Sequence, residues 1–251
     1  MNWFRTTSAI YLRELLAYFF SPIYYAATTI FTIVLGIAFW TSIRGGPGMP
    51  VPTADLSTVL ATSPVLLIFV LPVVTMRLFS EEFRHGTIEP LMTAPVGDWQ
   101  VVLSKYFAAI TVLVAMFAPT LVFVATLYIT GDPGPDPYKL LAGYLGVFLT
   151  GALFAALGVL ASSLTKDQVV AAIYGIIFNF AFWLVAIATN LDYVRDTPWL
   201  KEAIEYVTFH KHFVTMVEGV LDSRDIIYFL SLTVFFLFAT VRVVESRKWR
   251  V

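Results

Sequence analysis

Glu81 and His85 stand one helical turn apart, and His210 and His212 flank Lys211; both pairs are of types that can share a metal ion. A two-ligand i, i+4 pair among charged residues is more commonly a solvated helix face. Two imidazoles at i, i+2 diverge by about 200° around a helix, a poor chelate. Neither pair is expected to hold a metal. Cradling a nucleotide's phosphates would need a glycine-rich loop ending in Gly-Lys, and no glycine is followed by lysine. H-E-x-x-H and G-x-S-x-G are both missing, and with no Cys there are no thiolate ligands, thiol nucleophiles or disulfides. The expected reading is a chain without catalytic residues and without a cofactor of its own.

Composition explains what the residues do instead. Of 251 residues, 59% are hydrophobic and 13% charged, with a mean hydropathy of +0.80; soluble proteins carry about 25% charged residues. The 22 Phe, 12 Tyr and 6 Trp spread more apolar mass than one core of this size hides. Lipid is the expected solvent. A net charge of −1 gives no reason to expect a nucleic-acid partner.

An ionised side chain is costly at mid-bilayer, so runs between charges locate the spans. Uncharged runs cover 15–43, 56–76, 106–131, 140–165, 168–191 and 226–241. Ser21-Pro22 divides the first, since Ser caps a helix and Pro suits its first turn. The prediction is an all-α membrane protein, one domain over 1–251, with spans near 22–43, 56–78, 103–130, 139–164, 168–191 and 225–243. Residues 3–20 read as an in-plane interfacial helix, with Trp3, Phe4, Thr7, Tyr11, Leu15 and Tyr18 on one arc and Arg5, Thr6 and Arg13 opposite. Glu14 falls inside the apolar arc, against that pattern. Short amphipathic helices are expected on the outer face within 192–225.

Lys and Arg concentrate on the inner side of short loops. Placing both termini in the cytoplasm collects Arg5, Arg13, Arg77, Arg84, Lys105, Lys166, Arg242, Arg247, Lys248 and Arg250 there, ten of the sixteen basic residues. Residues 77–96 then form the inner link between spans two and three, a short charged helix whose stop signals are Gly86 and Pro90. Such a helix either anchors two spans at the interface or projects as a peg into a cytoplasmic partner.

Within that link, Glu81-Glu82-x-x-x-Gly86-Thr87-Ile88-Glu89-x-Leu91-Met92-x-x-Pro95-Val96, followed by Trp99-Gln100-Val101-Val102-Leu103-x-Lys105-Tyr106, resembles the loop between the second and third spans of ABC-2 type exporter permeases. It is most similar to the gliding-motility-type and nitrous-oxide-reductase-maturation-type permeases. Further similarity lies at Arg13-Glu14-Leu15, Ser21-Pro22, 161–165 and 219–229. The resemblance implies a six-span permease of the cell (inner) membrane that dimerises with a second copy or a paralogue. It also implies docking of separate ABC ATPase subunits, which hold the ATP and Mg2+, on a coupling helix formed by Ser80, Glu81, Glu82, Phe83, Arg84, His85, Gly86, Thr87, Ile88 and Glu89. The alternative is a non-transporting scaffold or mechanical coupler that acts on an outer-face partner protein through 192–225.

In the fourth span Gly151, Ala155, Gly158 and Ser162 recur at i, i+4, i+7 and i+11. Small side chains on one stripe let helix backbones approach in lipid, where packing drives association. The same stripe also follows from the abundance of Gly and Ala in spans. Val159 lies on a different face.

Overall fold

A computed structural model describes residues 3–44, 55–87, 97–131, 134–188 and 208–248. Every regular element among them is helical: α1 (Trp3–Phe19), α2 (Pro22–Arg44), α3 (Ser57–Thr75), α4 (Arg77–His85), α5 (Asp98–Phe117), α6 (Leu121–Thr130), α7 (Pro137–Leu164), α8 (Gln168–Ala188), α9 (Phe209–Val217) and α10 (Ser223–Lys248). Among the described residues, six stretches are long and apolar enough to cross a membrane: α2, α3 with α4, α5 with α6, α7, α8 and α10.

Local chemistry sets the breaks. Asp136 caps α7, accepting the Tyr138 N–H at 2.9 Å, and Pro137 occupies the first turn, where its missing N–H removes no helical bond. Pro119 falls inside the third span and converts Ala118–Thr120 to a 3-10 turn between α5 and α6. The helix begins at Asp98, ahead of the hydropathy boundary at 103, because Gln100 reaches back to the Gly97 N–H at 2.8 Å and closes the first turn. At the other extreme α10 continues to Lys248, past the hydropathy boundary at 243. Backbone hydrogen bonding does not stop where lipid does. The last residues predicted for the fifth span, 189–191, lie outside the described residues, as does most of 192–208.

The axis of the bundle is α7. Residues 150–163 are buried on almost every side, because α3, α5, α8, α9 and α10 all pack around them. Val159 is fully buried as well, and within this stretch only Ala152 and Leu160 keep partial exposure. By contrast α2 is peripheral: Phe31, Leu35 and Phe39 turn inward at i, i+4 and i+8, while Ile30, Ile33, Ile37 and Trp40 are exposed. Exposed apolar surface of this extent marks a face that meets lipid or another protein chain.

α1 lies along α5. The Tyr11 hydroxyl is 2.8 Å from Thr111 Oγ1, Ser104 Oγ donates to the Thr7 carbonyl at 3.1 Å, and the buried Tyr18 hydroxyl donates to the Val74 carbonyl at 3.0 Å. The arc of Thr7, Tyr11 and Tyr18 therefore faces protein. The exposed apolar side chains of α1 belong to a second face, Leu12, Leu16 and Phe19, continued by Phe20.

Candidate functional site

α4 continues α3 after a break at Met76, and the cause is a side chain from another helix. Ser162 of α7 inserts its hydroxyl there, donating to the Met76 carbonyl at 2.7 Å and accepting the N–H groups of Phe79 at 3.0 Å and Ser80 at 3.2 Å. A hydroxyl set into the i→i−4 ladder bends a helix and satisfies the freed amides. At the far end Gly86 adopts φ 69°, a left-handed conformation that stops the helix where a Cβ would be strained.

The ten docking positions read from the sequence divide between the two faces of this helix. Ser80 and Phe83 are buried, Glu82 turns into the protein, and Glu81 is half-buried. Arg84, His85, Gly86 and Thr87 are exposed at the tip. Ile88 and Glu89 lie outside the described residues.

Behind the tip sits a closed ring of four charges. Lys105 Nζ of α5 is 2.9 Å from Glu14 Oε1 and 2.9 Å from Glu82 Oε1. Arg13 Nη2 closes the ring at 2.6 Å from each of the same two oxygens. The Lys105 side chain is 0% exposed and that of Arg13 is 55% exposed, so the ring has a buried base and a wet lid. Burial pushes the Glu14 carboxyl up, but Lys105 and Arg13 outweigh it and hold the group below the usual carboxylate range. Two cations and two anions leave no net charge, and the ring fixes α1, α4 and α5 to one another. Lys105 lies at its centre, a role that the hydropathy pattern hides at the end of a span. The available signal was Glu14: an acid among apolar residues requires a cation.

The small-residue stripe of α7 meets two neighbours rather than one. A Cβ at Gly151 would stand 2.5 Å from a terminal methyl of Leu113 in α5, and one at Gly158 would stand 2.1 Å from Thr75 Oγ1 in α3. Ala155 is fully buried between these levels, and Ser162 ends the stripe at the α3–α4 break. The stripe, the break, the ring and the exposed tip are contiguous.

The family model for ABC-2 family transporter proteins matches residues 55–241, about three quarters of the chain. The chain belongs to that family. No curated protein matches it. As an ABC-2 family membrane component, it is a permease subunit of an ABC transporter, and the family implies an ABC ATPase partner.

At the opposite end of this permease, Lys139 at the start of α7 lies 2.7 Å from Asp55, which also accepts the N–H and the hydroxyl of Ser57 at the start of α3. A pocket of about 270 Å³ opens beside that pair. His212 of α9, one of the residues considered for a metal, instead has its Nδ1 2.6 Å from Asp225 Oδ1 of α10 and stacks on Tyr228 at 4.2 Å. Among the described residues no three His, Asp or Glu side chains converge as metal ligands.

Proposed function

We propose that this chain is the permease of an ATP-driven exporter, that its α4 end faces the cytoplasm, and that Glu81, Arg84, His85, Gly86 and Thr87 dock a separate ATPase subunit holding ATP and Mg2+. The observation that carries this reading is the build of α4: its polar tip is exposed while its other face is pinned by Ser162 and the charge ring. A peg that receives force must be rigid at its root and accessible at its end. The orientation is supported by the basic residues gathered at the α4 end, among them Arg77, Arg84, Lys105, Lys166 and Arg247. The permease pairs with a second copy or a paralogue, and the loop motif resembles the gliding-motility and nitrous-oxide-reductase-maturation subgroup.

Co-purification with the ATPase subunit tests the docking residues. Arg84→Glu and His85→Glu should each weaken ATPase binding by about tenfold, the loss of about 1.4 kcal/mol, without lowering the apparent Tm of the permease. Glu82→Lys should lower the Tm instead, since that side chain faces the ring. Undiminished binding in both tip variants would sink the docking reading. Labelling of a Gly86→Cys variant by an impermeant thiol reagent outside intact cells would reverse the orientation.

A further inference from the structure

Two aromatic rings of α4 are held between cations from two other helices. Lys105 Nζ of α5 is 5.2 Å from the Phe79 centroid. Phe79 and Phe83 stack at 6.2 Å with their planes 26° apart. The Arg247 guanidinium of α10 lies 4.2 Å from the Phe83 centroid. Arg247 stands in the last turns of α10, beyond residue 241 where the family match ends. A guanidinium at a helix end has water within reach; here it is half-buried against a buried ring, a geometry in which cation–π attraction gains from partial desolvation. Arginine suits this better than lysine because its planar group stacks.

The helix behind Arg247 is firmly seated. Val241 and Val244 are buried, Phe238 meets Trp99 of α5 at 6.2 Å, and α10 packs along α7. At its other end Asp225 pairs with His212 of α9. Span two runs directly into α4 and follows its movement through the chain itself. The sixth span has no such covalent link.

We infer that Arg247 is a positioning residue through which movement of α4 is passed to α10 and so to the opposite end of the molecule. The inference rests on α4 being the ATPase-docking helix. Its test uses the complex of permease and ATPase subunit in nanodiscs, spin-labelled through Leu141→Cys and Ile227→Cys, exposed positions near the far ends of α7 and α10 in a chain without native Cys. ATP with vanadate should shift the distance between the labels. Arg247→Gln should cut the shifted fraction by about threefold to tenfold, the range of a partly desolvated cation–π contact, while the ATPase subunit stays bound. Arg247→Lys should restore much of the shift, and Phe83→Leu should reproduce the loss and add little to Arg247→Gln. An undiminished shift in Arg247→Gln, no shift in the parent complex, or loss of ATPase binding in Arg247→Gln would each overturn the inference. Arg84→Glu in the same assay reports on the docking helix separately, because that reading alone requires it to weaken ATPase binding.

Discussion

Gly158→Ala is the smallest change that bears on the root of α4. A Cβ there would stand 2.1 Å from Thr75 Oγ1 and 3.1 Å from Thr75 Cβ, both well inside contact distance. Thr75 has little room to yield. Its side chain is fully buried, its hydroxyl donates to the Leu71 carbonyl at 2.9 Å, and rotating χ1 brings Cγ2, already 3.4 Å away, toward the same space. Relief therefore requires α3 and α7 to separate, which stretches the Ser162 bonds to Met76, Phe79 and Ser80 only a few residues on. Overpacking of this kind costs about 1–3 kcal/mol, and strained bonds at the α4 root put Gly158→Ala at about 3 kcal/mol. At about 2–4 °C per kcal/mol, the apparent Tm should fall by roughly 6–12 °C. The assay is thermal unfolding of the purified permease in detergent, followed by Trp fluorescence. Gly36→Ala is the control, since its Cβ would meet only Phe123 at 3.8 Å, an ordinary contact. Thr75→Ala in the Gly158→Ala background should recover most of the loss. Equal stability of Gly158→Ala and Gly36→Ala, or no recovery in the double variant, would refute the argument that this contact sets the spacing of α3 and α7.

Two further expectations concern the ring. Lys105→Met leaves Glu14 and Glu82 with Arg13 alone, and removing one member of a buried ionic group costs about 3–5 kcal/mol; the melting temperature should drop steeply and partly recover when Glu14→Gln and Glu82→Gln are added. A drop without recovery would mean that the lysine acts by packing. The Glu14 carboxyl is held below its ordinary value by Lys105 and Arg13 against the effect of burial, so its contribution is complete above the unfolded value near about 4.3 and is lost as pH falls through the folded value. The stability gap between the parent protein and Glu14→Gln should thus be constant above about pH 5 and narrow on acidification; a gap that widens toward low pH would contradict the assigned sign.

Six stretches long and apolar enough to cross a membrane are legible in sequence alone, because the cost of a charge in lipid is a property of the individual side chain and needs no knowledge of its neighbours. The stop at Gly86, the cap at Asp136 and the turn at Pro119 are equally local. Rotation of each helix is a different matter. Lipid and the bundle interior are equally apolar, so a span such as α7 carries no amphipathic stripe to say which side faces protein. Only the packed structure sets Gly151 against Leu113 and Gly158 against Thr75, and only it turns Ser80, Glu82 and Phe83 inward while leaving Arg84 and His85 outside. The ring shows the limit most clearly: Glu14, Glu82 and Lys105 are visible as separate charges, but they meet across 91 residues of chain between Glu14 and Lys105. Their meeting depends on how α1, α4 and α5 pack, a long-range arrangement that periodicity in a single helix does not encode.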